Sequence, residues 1–436
     1  MRSATQKILD FATSDHVLSD SVRASALNLL GDTLAGGAAG AASDEAQAML
    51  SAVREWGTGG QARLLGSSDR LPATSAAWFN GFAIHCLEWD AVHEPAVVHA
   101  LSVVTATLLA SSDRMGGCEA EQFLTALAVG VDVASGIGVA ATGAMQFFRP
   151  ATAGIIGAAL AAARLEGLSR ERFADVLGLA YSQASGTMQA HVEASIALPL
   201  QIANAARAAI TAVDLAKTGM DGPHDALEGP FGYFKLFEQG NLSEYTNDIG
   251  TKWLIEDVSI KPFPSGRASH GILGAIDAML RDGSIDSDMV QSVDVAAPPL
   301  IHRLVGRPYK TDMTPSYARL CLPFLVPLML RDRIIDPRCF TQAEFANPEL
   351  AELGSQVDVR IDENPDHNAL APQKLTITLS GGQKVERDIT DNLGSPTAPM
   401  SDAQTQSKRE LARSLATENC DPRLFDNPLA YATEPQ

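Results

Sequence analysis

Residues 151–165 read ATAGIIGAALAAARL, and this stretch decides the fold class. Its larger apolar residues recur three and four positions apart, the period of one helix face. The remaining positions are almost all Ala or Gly. Side chains that small let helix backbones approach closely, so the segment is expected to pack in a dense helical bundle or at a dimer interface. The same pattern extends outward through residues 119–134 (EAEQFLTALAVGVDVA) and 21–35 (SVRASALNLLGDTLA). From about residue 5 to 250 helix follows helix, with Ser169 placed to cap one of them.

The texture changes near residue 258. Residues 291–297 (QSVDVAA) and 356–362 (QVDVRID) alternate as strands do, and 374–389 (KLTITLSGGQKVERDI) predicts a hairpin turning at Gly381-Gly382. Helical stretches at 270–281 and 318–331 lie between them, and 401–417 returns to helix. The expected class is therefore mainly α. Residues 1–258 and 395–436 form a large helical domain, and 259–394 form a smaller α+β domain. No internal repeat or long low-complexity linker interrupts the 436 residues.

Composition narrows the function. With 46% hydrophobic and 19% charged residues the chain can bury a large core. A net charge of −19 argues against nucleic acid or anionic membrane as partner, since both require a basic footprint. Local cations still leave room for a small anionic substrate. The five cysteines (Cys86, Cys118, Cys321, Cys339, Cys420) form no CxxC pair, and the opening MRSATQKILDF lacks the apolar run of a secretory signal. A reduced, cytoplasmic protein is expected. Apolar runs such as 131–141 and 155–163 read as too short or interrupted to span a bilayer.

The chemistry concentrates in residues 80–99, NGFAIHCLEWDAVHEPAVVH, which hold three of the nine histidines. Asn80-Gly81 reads as a loop pair, followed by a helix that stops before Pro95. His85 and Glu88 would then share a helix face, with His93 to His99 in the following loop. A zinc site needs two histidines at i and i+4 or a recognised ligand spacing, and neither is present. A loop histidine tuned by neighbouring carboxylates suits proton transfer near neutral pH. A buried structural His85 with a helix-end Glu88 fits the local sequence as well.

An ordered series of motifs resembles the MmgE/PrpD family of 2-methylcitrate dehydratase, cis-aconitate decarboxylase and iminodisuccinate epimerase. The pieces are LLGDTLAGG (29–37), AAWFNGFAIHCLEWD (76–90), PAVVH (95–99), GLS (167–169), SQASG (182–186), EGPFGYF (228–234) and KPFPSGRASH (261–270). The resemblance implies a large all-helical domain closed by C-terminal helices, a smaller α+β domain over the active site, and a homodimer that needs no organic cofactor. It implies proton abstraction alpha to a carboxylate of a small polycarboxylate, with elimination of water as the first expectation. An epimerase or decarboxylase on the same fold is the runner-up. Outside the enzyme class stands a non-catalytic binding or scaffold protein.

The resemblance carries roles onto single positions. His99 or Lys261 is the expected base, with Glu88 orienting or tuning His99. Lys261, Arg149 and Arg267 are expected to hold carboxylates, and His270, Asp90 and His85 complete the site. Arg149 replaces a family histidine and, being permanently charged, would bind and not shuttle protons. Other departures are Val92 for a hydroxyl, Leu198 for a lysine, and Phe324 near a tyrosine position, with Tyr317 close in sequence.

The remaining candidates receive weaker readings. His191 reads as surface or core, and His302, beside Arg303 and near Arg307, as structural before anion-binding. His16, His224 and His367 receive no role. Ser265-Gly266 is no nucleophile elbow, because no GxSxG surrounds it. The Gly-rich run at 35–40 follows a helix and not a strand, so it does not bind a dinucleotide.

Overall fold

The computed structural model describes residues 2–366 and 368–435, so His367 lies outside the described residues. Small residues set the helix packing as the Ala/Gly pattern predicts. The Ala120–Val139 helix packs on Gly154–Leu165 with Gly130 and Gly157 back to back; a Cβ on Gly157 would run into the Gly130 carbonyl oxygen. Asp20–Ala41 crosses Ala73–His85 at Gly40, whose missing side chain makes room for the Ala83 carbonyl. Ala73–His85 in turn lies on Ala197–Lys217, where a Cβ on Gly81 would sit 3.3 Å from Ala203 Cα. Ser19 and Ser43 start two of these helices by accepting from the amides of Val22 and Ala46.

Three expectations change here, while the helix end before Pro95 holds. Asn80-Gly81 is mid-helix: Asn80 is buried and uses its amide to tie Leu65 N and Arg63 O, while Gly81 serves helix packing. That helix ends at His85, well before Pro95. The glycines at 35–40 fall inside the Asp20–Ala41 helix. Ala120–Val139 is long and apolar enough by length and composition to cross a membrane, because the 131–141 run continues backward to residue 120. Most of its surface is buried against neighbouring helices.

The buried apolar residues form two clusters. One runs from Ile8 to Val258 and takes in Ala412 and Leu424 to Ala432. The other runs from Phe263 to Ile389 and surrounds a four-stranded sheet. The strand order is Val357–Ile361, Val290–Ala297, Gln373–Leu379, Lys384–Ile389, with only the first pair parallel. Val293 and Val295 pair with Val357 and Val359 on one side and with Ile377 and Leu375 on the other, giving an apolar face. The helices His270–Asp282 and Leu322–Asp332 share that buried cluster. The hairpin turns at Gly381 and Gly382, both at positive φ as such a turn requires.

Two connections place the site. The short strand Val92–His93 pairs antiparallel with Val258–Ser259, which delivers Lys261 beside the turn that follows His85. The late helix Asp402–Leu415 returns to Asp20–Ala41, where buried Lys408 pairs with Asp32 and donates to Trp89 O at 3.3 Å.

Candidate active site

His85 ends its helix fully buried, and its Nδ1 donates to Asp90 Oδ2 at 2.9 Å. Between them the chain reverses through Glu88, which sits at φ 54°, left-handed backbone that a non-glycine residue adopts at a cost of about 1–3 kcal/mol. The reversal turns Glu88 away from a shared helix face. Its carboxylate instead receives Lys261 Nζ at 3.0 Å, and Lys261 also donates to the Glu88 carbonyl. A second reversal at Val97, φ 52°, closes the 93–98 loop and leads to His99, the residue before the Ala100–Met115 helix. His99 Nδ1 lies 3.1 Å from Asp90 Oδ2, and Ser102 on the next turn donates to the same oxygen.

Asp90 is thus the hub: two imidazoles and a hydroxyl meet one carboxylate oxygen, and Lys261 Nζ stands 3.8 Å from the other. The imidazole rings meet edge to face, centroids 4.9 Å apart. The ring of His99 is 12% exposed, and both histidines line a cavity of about 70 Å³. Glu88, Val92, Glu94, His191 and Arg267 also line it, while Met145, Phe148, Met188 and Leu198 make its apolar wall.

The electrostatics separate the two histidines. Burial works against charge on His85, but the Asp90 and Glu88 carboxylates outweigh it and raise its pKa. Burial lowers that of His99, with Lys261 adding to the effect against Asp90. Burial likewise opposes charge on Glu88 and Asp90, yet neighbouring cations prevail: Lys261 above all takes Glu88 down to about 2, and the two histidines hold Asp90 well below the carboxylate range. His191 is pushed by burial to about 4. Neighbours that pull two acid/base groups in opposite directions are the arrangement that lets one donate while the other accepts.

The expected site residues separate into two groups. His85, Glu88, Asp90, His99 and Lys261 converge. Arg267 also reaches the cavity wall, but Glu94 holds it at 2.7 Å and it donates further to the carbonyls of Leu393 and Asn392. Arg149 does not reach the cavity. It is fully buried, with Nε 2.8 Å from Glu238 Oε1 and Nη1 3.0 Å from Ala96 O, because a guanidinium removed from water needs its charge and donors matched. His270 is buried behind Arg267, where its Nε2 meets Ser265. Glu88 does not orient His99; Asp90 does, while Glu88 is Lys261's counterion and approaches His85 Nε2 at 3.6 Å.

Other placements differ from the sequence reading. His191, read as surface or core, lies in the cavity wall. Ser102 and Glu94 received no role, although a hydroxyl three residues after His99 and a carboxylate inside the quoted stretch were visible signals. Phe324 packs in the smaller cluster against Phe345 and Phe340, and Tyr317 donates to Pro308 O, so neither meets the cavity. Val92 and Leu198 do line it, as apolar surface. His85, Asp90 and His99 bring three potential ligand atoms within 4.8 Å of one another, a cluster that sequence spacing did not reveal. Both imidazole Nδ1 atoms face the same carboxylate oxygen, and Lys261 already supplies the positive charge a cation would bring, so the set reads as a proton-transfer group.

Two family models match the chain in order: the MmgE/PrpD N-terminal domain over residues 6–246 and the MmgE/PrpD C-terminal domain over residues 263–421. Among characterised relatives, the human cis-aconitate decarboxylase is 27% identical over 331 residues, covering 72% of this chain and 67% of that protein. The cis-aconitate decarboxylase-like protein oryM of Aspergillus oryzae is 28% identical over 59% of this chain and 57% of its own length. The cis-aconitate decarboxylase of Aspergillus terreus is 25% identical, with 83% of this chain and 79% of that protein aligned.

Proposed function

Because the chain belongs to the MmgE/PrpD family, we propose that it is a lyase that acts on a small polycarboxylate by moving a proton alpha to a carboxylate. The observation that carries this reading is the pair of histidines on Asp90 with proton affinities shifted in opposite directions. Neutral His99 removes the alpha proton, and the electron pair left on carbon spreads toward the adjoining carboxylate. His85, which keeps its proton more readily, delivers it to a beta hydroxyl as the carbon–oxygen bond breaks. One C–H and one C–O bond are lost, a C=C bond forms, and water departs. A base and an acid tuned apart suit this division of labour. The mechanism assigns no step to a cofactor.

Loss of carbon dioxide is the second reading, favoured by the relatives' activity and by the apolar wall at Met145, Phe148 and Leu198. Poor solvation of a carboxylate against such a wall favours its departure, after which a histidine would protonate the carbanion. The homodimer and the cytoplasmic location remain part of the proposal; light scattering tests the first.

Proton NMR in D2O with 2-methylcitrate, citrate, cis-aconitate and iminodisuccinate separates the readings. A new alkene retaining every carboxylate supports dehydration, and an alkene one carboxylate shorter supports decarboxylation. Deuterium uptake into an unchanged skeleton would replace both with epimerisation. No change with any compound would favour the scaffold alternative.

A further inference from the structure

A substrate with several carboxylates needs cations, and most of those around the cavity are already neutralised. Lys261 faces Glu88, Arg267 faces Glu94, Arg149 faces Glu238, Arg319 faces Glu45 and Lys408 faces Asp32. Two cations beside the wall differ. Among the described residues, neither Arg303 nor Arg307 has a carboxylate within ion-pair distance. Arg303 Nη2 donates to the carbonyl of Met145 at 2.7 Å, and Arg307 Nη2 to that of His191 at 3.2 Å. Met145 and His191 are both wall residues, so the two guanidinium groups stand directly behind the cavity lining.

Arg307 is the more telling of the two. Its Nη1 is buried and meets no hydrogen-bond partner, while its guanidinium carbon lies 5.0 Å from the centre of the Tyr317 ring. A buried donor without an acceptor has lost its hydration with nothing in return, a penalty that an incoming anion would remove. Glu88 lies near enough for its charge to act on Arg307.

We propose that Arg307, with Arg303 beside it, forms the carboxylate-binding arm of the site, receiving the substrate carboxylate farthest from the His85–Asp90–His99 cluster. The inference rests on the lyase reading above and gives to Arg307 the anchoring role that the sequence assigned to Arg149. A carboxylate entering past His191 meets the free Nη1 of Arg307, and the planar fork suits its two oxygens. Arg303, more exposed, adds charge at the rim.

Tricarballylate, a saturated tricarboxylate with no hydroxyl to lose, serves as the binding probe, measured by calorimetry. Wild type should bind it. Arg307→Gln, which keeps a donor for the His191 carbonyl but loses the charge, should bind it about tenfold more weakly or worse. For a substrate that turns over, the same variant should raise KM more than it lowers kcat. Arg303→Gln, at an exposed position where folding is not at risk, should weaken binding about threefold. Wild-type affinity in both variants overturns the arm while leaving the lyase reading in place. Failure of wild type to bind tricarballylate or any of the four NMR compounds overturns both.

Discussion

Asp90 holds two imidazoles on one oxygen, and the groups around it decide which carries the proton. His85 also faces Glu88, while His99 is buried closer to the influence of Lys261. His99 must be unprotonated to accept, so activity should rise as pH climbs through its lowered pKa, below the ordinary 6.5. His85 must be protonated to donate, so activity should fall as pH passes its raised pKa, above 6.5. The profile of kcat/KM is therefore expected to be bell-shaped around that value, and His85→Asn should flatten its alkaline limb; a wild-type profile with one limb would count against the assignment. His99→Ala should lower turnover by about a hundredfold or more with an unchanged melting temperature. Turnover at the wild-type rate would remove His99 from the mechanism. Both residues were legible in sequence because the order of motifs places them. The fate of Arg149 was not: its partner Glu238 lies 89 positions away, and no local spacing encodes that pair.

At the level of elements, small residues carried the message. The Ala/Gly runs announced close helix crossings, and Gly130, Gly157 and Gly40 show where they occur. Gly157→Ala sets a helix-propensity gain of about 1 kcal/mol against overpacking of about 1–3 kcal/mol. The clash is with backbone, at the Gly130 carbonyl and the Ala134 amide, so overpacking should win and the melting temperature should fall. Gly36→Ala, inside the Asp20–Ala41 helix with nothing within 4 Å of its added methyl, should leave it unchanged or raise it. Equal effects from the two substitutions would refute the packing argument. Strands and hairpin were readable from alternation. The end of the Ala73–His85 helix was not, because the left-handed turn at Glu88 answers to Lys261, a residue 173 positions later.

Over the whole molecule, burial of histidine links stability to acidity. His93 and His191 are each held neutral by burial to about 4, against 6.5 when exposed. Between those values the unfolded chain binds more protons than the folded one, so stability should decline as pH falls from 6.5 toward 4. Urea titrations across that window test this, and His93→Asn should make the decline shallower. A flat dependence would mean that neither ring is neutral in the folded protein. The two-part texture of the chain was legible as a change of period near residue 258. The joining of the parts was not, since it depends on a two-residue ladder, Val92–His93 with Val258–Ser259, too short to leave a pattern. The same long reach governs the helix Asp402–Leu415. Its Lys408 holds the Trp89 carbonyl beside the hub, and its charge is felt at Asp90. A nascent chain therefore carries His85, Asp90 and His99 through most of its synthesis without a finished site. The Trp89 carbonyl gains its Lys408 donor only once residue 408 has left the ribosome and docked, so the polar set around the hub is completed late in translation.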